Sequence, residues 1–285
     1  MRPRPLLLLL ALLAACGPVA HSASRADRAH VAAMAREHVG HTPVANASAA
    51  APRQDVVAEE VVYGTAEGKE LRGYLARPAG ARGALPGIVV VHEWWGLNDN
   101  VRAMARRLAG EGYAALAVDM YGGEVADAPD EARALMLEVM EDRQSGARNL
   151  RAAAEYLKGR GARRLGVVGW CFGGGWAIQS ALFMPELVDA AVVYYGQPVT
   201  DRAELARLDA PLLGLFGAED RGIPVAQVRQ MEAALRELGK DAEIVVYPGA
   251  AHAFANPSGQ AYDARAAQDA WNRTTAFFAE HLRSP

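Results

Sequence analysis

The chain has 285 residues, of which 51% are hydrophobic and 22% are charged, and its formal net charge at pH 7 is −3. This length and composition fit one large α/β domain with an accessory segment. No basic stretch is interleaved with aromatic residues, so the sequence does not indicate a protein that binds nucleic acid.

The N-terminus is predicted to be a targeting segment. Two arginines precede an apolar run that is too short to span a bilayer and that ends in Leu-Ala-Ala-Cys at 13–16. This ending resembles the lipobox of bacterial lipoproteins, which implies that residues 1–15 are a signal peptide and that Cys16 is lipidated. We therefore expect an exported, lipid-anchored protein on the periplasmic face of a bacterial envelope. The alternatives are an ordinary secretory signal cleaved near residues 20–24 and a simple membrane tether.

Residues 16–55 are predicted to be a flexible tether. A helical turn or two is compatible with residues 26–38, but the apolar positions there are mostly alanines, which bury little area. No carboxylate or cysteine completes a metal-ligand set at suitable spacing, so a solvated spacer is favoured over a metal site. The histidines that raise the metal question are His21, His30, His38 and His41.

Residues 56–285 are predicted to form the catalytic domain, with an α/β fold. Two strands around the turn at 66–69 indicate an antiparallel hairpin at a sheet edge. The later strands are apolar without alternation and are joined through helices, which predicts a mostly parallel, doubly wound sheet. Strands are predicted at 56–63, 71–76, 87–92, 113–119, 164–168, 188–195, 211–217 and 242–247, and helices at 101–111, twice within 129–158, from the turn after residue 168 to 184, at 225–238 and at 263–282.

The segment Gly-Trp-Cys-Phe-Gly at 169–173 lies between a predicted strand and a helix of small residues. A side chain on such a sharp turn has strained backbone geometry, so the flanking positions must be nearly free of side chains, as Gly169 and Gly173 are. The pattern predicts a nucleophile elbow with Cys171 in the place of serine, at a helix N-terminus that favours a thiolate. Taken alone, the motif is equally compatible with a glycine-rich turn around a buried, inert cysteine.

Four titratable residues follow predicted strands, where chemistry collects in a doubly wound sheet: Glu93, Cys171, Asp220 and His252. Taken singly, Glu93 is compatible with a surface acid, Asp220 with a helix cap and His252 with a loop histidine. The last three, however, occur in the order nucleophile, acid and base that α/β hydrolases use. We therefore expect an α/β-hydrolase fold with a Cys-Asp-His triad.

The residue types define the expected reaction. The imidazole of His252 takes the proton of the Cys171 thiol, and Asp220 fixes the imidazole and supports its charge. Cys171 then attacks an acyl carbon, and a thioester acyl-enzyme forms. The oxyanion is expected to be bound by the backbone amides of Phe172 and Trp94.

Four motifs resemble those of the dienelactone hydrolase (carboxymethylenebutenolidase) family, and the resemblance runs from about residue 56 to the C-terminus. The motifs are Gly-Trp-Cys-Phe-Gly-Gly at 169–174, Val-His-Glu-Trp-Trp-Gly at 91–96, Gly-Ala-Glu-Asp at 217–220 and Gly-Ala-Ala-His-Ala-Phe at 249–254. The resemblance implies that Glu93 pairs with the cysteine at rest, protects it, and swings away when substrate arrives.

The sequence departs from the family where the substrate carboxylate is held. The resemblance implies two arginines, one shortly after an Asp-x-Tyr block and one four residues past the catalytic histidine, but the chain has glycines at 122–123 and Asn256 at these places. A neutral ester or lactone is therefore at least as compatible as dienelactone itself, unless Arg143 or Arg221 substitutes. Three aromatic residues are predicted to line the substrate pocket: Tyr121, Trp95 and Phe254.

The sequence thus predicts a cysteine-dependent hydrolase of carboxylic esters or lactones that needs no cofactor and no metal. The same triad is compatible with thioester or peptide substrates, and a lipid-anchored binding module that retains the fold without turnover is the alternative from another class. The expected partner is a small-molecule substrate, with membrane contact only through the N-terminal lipid. The oligomeric state is left open.

Overall fold

The computed structural model describes residues 23–44 and 50–283. The predicted signal peptide and Cys16 lie outside the described residues, as do His21 and the predicted alternative cleavage region up to residue 22. None of the helices in the described part of the chain combines the length and apolar character needed to cross a membrane.

One eight-stranded sheet forms the centre of the molecule, and its strand order is β1-β2-β4-β3-β5-β6-β7-β8. β1 pairs antiparallel with β2, and β2 pairs antiparallel with β4, whereas every other pair is parallel. This confirms the predicted α/β-hydrolase fold with its N-terminal antiparallel hairpin. The strands are β1 (Val56–Ala66), β2 (Lys69–Pro78), β3 (Gly87–Val91), β4 (Ala114–Val118), β5 (Leu165–Trp170), β6 (Ala190–Tyr194), β7 (Leu212–Gly217) and β8 (Ala242–Tyr247).

The hairpin turn has the geometry that its sequence favours. Glu67 and Gly68 both have positive φ, 52° and 77°, and connect the paired residues Ala66 and Lys69. Two left-handed residues in a two-residue loop match the right-handed twist of the flanking strands. The turn therefore fixes the register of β1 on β2 at the edge of the sheet.

Helices cover both faces of the sheet. A Cβ added to Gly87 would contact Leu157, whereas one added to Gly166 would lie 2.7 Å from Phe278. Leu157 belongs to the helix Arg143–Gly159 and Phe278 to the helix Ala264–Arg283. Because side chains alternate along β5, and Gly87 pairs with Leu165, these two helices lie on opposite faces of the sheet. The helices are α1 (Arg25–Glu37), α2 (Asp99–Gly110), α3 (Pro129–Glu141), α4 (Arg143–Gly159), α5 (Phe172–Phe183), α6 (Arg202–Leu205), α7 (Val225–Glu237) and α8 (Ala264–Arg283).

The structure differs from the predicted tether over its first described part. Residues 25–37 form α1, which begins with a capping box between Ser24 and Asp27 and packs against α3. Val31 and Met34 are buried on one side of the helix. The tether interpretation was wrong here, because a few apolar side chains among the alanines meet a preformed surface of the domain.

Candidate active site

Cys171 occupies a strained turn between β5 and α5. Its φ is +55° and its ψ is −117°, and α5 begins at the next residue. A Cβ on Gly169 would lie 2.0 Å from the carbonyl oxygen of Gly173, and one on Gly173 would lie 2.3 Å from the carbonyl oxygen of Val91. The turn closes only because both positions are glycine, which is the geometry of a nucleophile elbow.

Asp220 and His252 meet beside the elbow, at the carboxyl ends of β7 and β8. Nδ1 of His252 lies 2.7 Å from Oδ2 of Asp220, and both side chains are buried. The other carboxylate oxygen of Asp220 accepts hydrogen bonds from the backbone amides of Gly222 and Ile223, at 2.9 and 2.7 Å. Asp220 therefore bonds to the imidazole and also to two amides of its own loop. It does not cap α7, whose N-cap residue is Pro224 and has no side-chain cap.

The ligand atoms of Cys171, His252 and His38 all lie within 4.8 Å of one another. Burial by itself lowers the pKa of His252, but a negative Cys171 and a negative Asp220 outweigh burial and raise that pKa well above its usual value. The arrangement therefore favours the protonated form of the His252 imidazole. An imidazolium beside the elbow can give a proton to a leaving group.

Glu93 follows β3 and is half-buried beside the elbow. Its carboxylate accepts hydrogen bonds from the hydroxyl of Tyr195, at 3.3 Å, and from the amide of Asn256. Burial raises the pKa of Glu93 to about 7, and the charge of His252 and the two hydrogen bonds oppose that rise. Glu93, the predicted thiol guard, thus has its carboxylate hydrogen-bonded to Tyr195 and Asn256 in this structure.

Phe172 and Trp94, whose amides are expected to bind the oxyanion, lie at the start of α5 and in the loop after β3. Phe172 is the first residue of α5, so its N–H has no acceptor within the helix. Trp94 lies in the loop after β3, and the buried His92 ring holds that loop in place. Nδ1 of His92 lies 2.5 Å from the carbonyl oxygen of Glu93, and its Nε2 accepts a hydrogen bond from the amide of Met120 at 3.1 Å.

The N-terminal segment covers the thiol. Sδ of Met34 lies 3.8 Å from Sγ of Cys171, and Met34 is fully buried. One turn later, the ring centroid of His38 lies 4.7 Å from that of Trp94 and 5.4 Å from that of His252. Cys171 is consequently only 2% exposed. The sequence analysis missed this cover, although Met34 and His38 are four residues apart and so share one face of a helix.

A family model described as the dienelactone hydrolase family matches residues 71–282. The chain belongs to the dienelactone hydrolase family. It is a hydrolase of the ester or lactone type. The resemblance predicted from the four motifs is thereby confirmed.

Individual relatives cover most of this chain. Protein usf of Aquifex pyrophilus is 35% identical over 223 residues, which are 75% of this chain and 95% of the relative. A crystal structure from Klebsiella pneumoniae, described as a candidate dienelactone hydrolase, is 35% identical with a TM-score of 0.72, and the match covers 80% of this chain and all of the other. A dienelactone hydrolase-like promiscuous phosphotriesterase from metagenomic libraries is 27% identical with a TM-score of 0.73, over 80% of this chain and 99% of the other.

Three aromatic residues were predicted to line the substrate pocket of this dienelactone hydrolase family member. They lie in three different environments. Trp95 is 4% exposed and packs against the ring of His38, at 5.8 Å between centroids. Tyr121 packs against the rings of His92 and Phe172. Phe254 is fully buried between Tyr195 and Tyr247 and belongs to the core, so the pocket role predicted for it does not fit its position.

A cavity of about 250 Å³ lies between α1 and the elbow. Phe172, Trp176 and Arg143 line it, and His30 of α1 forms part of its wall. Arg143 forms an ion pair with the buried Asp27 of α1. The arginine that the sequence raised as a substitute for the family's carboxylate clamp therefore lies beside the active site, and the chain's own carboxylate binds it.

Proposed function

We propose that this protein hydrolyses carboxylic esters or lactones with Cys171 as the nucleophile, His252 as the base and Asp220 as the orienting acid. The single observation that carries the proposal is the bond between Asp220 and Nδ1 of His252, beside a cysteine at a glycine-flanked elbow. This bond leaves Nε2 of His252 for the thiol, which is the arrangement a nucleophilic hydrolase needs.

The proposed reaction has two halves. In the first, the sulfur of Cys171 attacks the acyl carbon, the amides of Phe172 and Trp94 stabilise the oxyanion, and His252 gives its proton to the departing alcohol oxygen. In the second, His252 takes a proton from water, the hydroxide attacks the thioester, and the carboxylic acid leaves. With a lactone, the alcohol and the acid remain parts of one product.

The cavity next to the elbow offers two polar groups to a substrate. Arg143 supplies a guanidinium, and Nε1 of Trp176 is buried with no hydrogen-bond partner among the described residues. Asn256, at the place of the second family arginine, instead donates to Glu93. Dienelactone itself is therefore a poorer candidate substrate than an ester or lactone that uses a single arginine or none.

Substrate must displace the cover before it reaches the thiol. Sδ of Met34 lies against the sulfur of Cys171, and Cys171 is only 2% exposed. We therefore expect α1 to move away during turnover, with its ion pair between Asp27 and Arg143 broken.

Hydrolysis of p-nitrophenyl acetate tests the proposal. The wild-type chain is expected to release p-nitrophenol continuously, and Cys171→Ala is expected to lose that activity to the level of buffer. Equal rates in both proteins would contradict the proposal, and binding of esters without turnover would indicate the alternative, a binding module that retains the fold. A panel of lactones and aryl esters of different charge then identifies the substrate class, with Arg143→Met as the variant that reports on anionic substrates.

We also propose export and lipid anchoring through Cys16. The support is the lipobox-like sequence at 13–16. In a bacterial host, metabolic labelling with a palmitate analogue is expected to mark the wild-type protein and to leave Cys16→Ser unlabelled. Equal labelling of both proteins would contradict the anchor.

A further inference from the structure

Three potential metal ligands from different parts of the chain converge over the elbow. Cys171 follows β5, His252 follows β8, and His38 ends α1, and one ligand atom from each lies within 4.8 Å of the other two. All three residues are buried. The tether histidine that lacked partners in the sequence thus finds a cysteine and a second histidine through the fold.

Two ring nitrogens have no nitrogen or oxygen partner among the described residues, Nε2 of His38 and Nε2 of His252, and both are buried. The side chain of His252 also has a hydrogen bond with that of Cys171, so its partner on this side is the sulfur. The opposite nitrogen of each ring is already engaged, because Nδ1 of His252 bonds to Asp220 and Nδ1 of His38 lies 3.3 Å from Nδ1 of His41. A histidine that ligates a metal usually has its other ring nitrogen held by such a second group.

We propose that Cys171, His252 and His38 form a binding site for Zn²⁺ that holds the enzyme closed. A thiolate and two imidazoles are ligands that Zn²⁺ prefers, whereas Mg²⁺ and Ca²⁺ prefer oxygen. In a tetrahedral zinc site with such ligands, the donor atoms are about 3.5 Å apart. The widest separation, 4.8 Å, needs to shorten by about 1 Å. His38 ends α1, and its ring already lies 5.4 Å from that of His252, so we expect this ring to make the movement.

Binding releases a proton and removes the nucleophile. Besides the proton on Nδ1 of His252, the Cys171–His252 pair carries one proton, and this proton is lost to solvent when the sulfur and the two Nε2 atoms bond to Zn²⁺. The metal-bound sulfur no longer attacks an acyl carbon, and His252 no longer acts as a base. Because His38 belongs to the covering segment, the same ion also fastens α1 over the site.

Cobalt titration of the purified full chain tests the site directly, since Co²⁺ takes the same ligands as Zn²⁺ and is coloured. One equivalent of Co²⁺ is expected to give a near-ultraviolet band from the sulfur and visible bands of a four-coordinate ion, and Zn²⁺ is expected to remove both. Cys171→Ala is expected to lack the sulfur band. A wild-type protein without these bands overturns the proposal.

His38→Ala separates the metal site from the triad. It is expected to weaken Co²⁺ and Zn²⁺ binding, and to weaken inhibition of p-nitrophenyl acetate hydrolysis by Zn²⁺, by about 10- to 100-fold. Its basal hydrolysis without metal is not expected to fall. The matched control is His281→Ala, which removes a histidine from α8 and is expected to bind metal as the wild type does. The proposal is overturned if His38→Ala is inhibited by the same concentration of Zn²⁺ as the wild type. It is also overturned if Zn²⁺ activates the wild type.

Met34→Ala distinguishes a ligand from a packing residue. It loosens α1 and retains all three ligands, so it is expected to bind Co²⁺ within about tenfold of the wild type. If it loses the bands as completely as His38→Ala does, the histidine acts through helix packing and the proposal fails. The cobalt bands do not depend on turnover, so they also separate failure of the metal site from failure of the proposed hydrolysis.

Discussion

The carboxylate of Asp220 bonds to His252 and to two amides of its own loop, and the substitution Asp220→Asn tests these two contacts separately. Asp220→Asn retains an oxygen for the amides of Gly222 and Ile223, but its NH₂ group would face Nδ1 of His252 and impose the wrong tautomer. We expect kcat/KM for p-nitrophenyl acetate to fall by about 10³- to 10⁴-fold, as such a change does in other triads.

The control for this variant is its thermal unfolding. The melting temperature of Asp220→Asn is expected to stay close to that of the wild type, because the loop retains its caps. A fall of less than tenfold in kcat/KM, with the protein folded, would contradict the role of Asp220 in orienting His252.

Glu93 makes the free energy of unfolding depend on pH. Its pKa is about 7 in the folded protein against 4.5 as a model value, so between these pH values the unfolded chain has released a proton that the folded one retains. The stabilising effect of the neutral acid is therefore complete below about pH 4.5 and is lost as the pH rises toward 7, by at most about 3 kcal/mol. Denaturant unfolding of wild type and Glu93→Gln from pH 4.5 to 8 measures this.

The variant is expected to remove that fall in the free energy of unfolding, since glutamine does not titrate. Glu59→Gln, on the exposed side of β1, is the matched control and is expected to retain the wild-type pH dependence. A Glu93→Gln protein with the same pH dependence as the wild type would show that another group titrates in this window.

At the scale of elements, α1 is held over the active site by few side chains. Met34 contacts the sulfur of Cys171, and its terminal methyl group leaves no space for a Cβ on Gly222. Met34→Ala removes this contact and leaves a void, a change that typically costs about 2–5 kcal/mol in a well-packed core. We expect the reaction of Cys171 with a thiol reagent such as Ellman's to become at least tenfold faster, as measured by absorbance.

Arg36→Ala is the matched control on the same helix, because Arg36 is exposed. It is expected to leave the rate of thiol modification within about twofold of the wild type. If Met34→Ala also leaves that rate unchanged, then α1 does not limit access to the thiol.

The elements of the sheet were predictable because their sequences are unambiguous, whereas α1 was not. All residues of β3 and β5 are apolar or glycine and buried, which is typical of strands inside a parallel sheet. The elbow needs glycine at 169 and 173, because a Cβ at either place would clash with the backbone. The helix of residues 25–37 has a weak apolar face of its own, and its burial depends on the surface formed by α3 and the elbow. Such long-range packing leaves no local pattern in the sequence.

In the candidate site, too, some contacts were predictable from the sequence and others were not. The order of Cys171, Asp220 and His252 along the chain was sufficient to predict their meeting, since the parallel strands β5, β7 and β8 place their carboxyl ends at one edge of the sheet. The contacts of Glu93 with Tyr195 and Asn256, and of His38 with the triad, join segments far apart in the chain. No spacing in the sequence encodes them.

At the scale of the whole molecule, the eight-stranded sheet with its helices occupies residues 56–283, and α1 lies outside this sheet over the elbow. The sheet and its helices begin at β1, and α1 adds no strand to the sheet. A protein that begins at residue 50 is therefore expected to fold with a single cooperative transition and to hydrolyse p-nitrophenyl acetate faster than one that begins at residue 23. The measurement is kcat/KM for the two proteins, together with thermal unfolding.

A slower short protein that unfolds at the wild-type temperature would show that residues 23–44 contribute to catalysis rather than cover the site. The comparison is independent of metal when it is made in the presence of a chelator. The predicted boundary between tether and domain near residue 55 is tested by the same pair of proteins.

The ion pair between Asp27 and Arg143 means that a carboxylate of the chain competes with any anionic compound for Arg143. An anion that binds Arg143 must displace a carboxylate that is attached to the same polypeptide, and a tethered ligand of this kind acts at an effective concentration on the order of millimolar. Anionic compounds of similar affinity that are well below that concentration therefore meet an arginine that is already neutralised. Abundance of such a compound, and not affinity alone, would then determine when the cover opens.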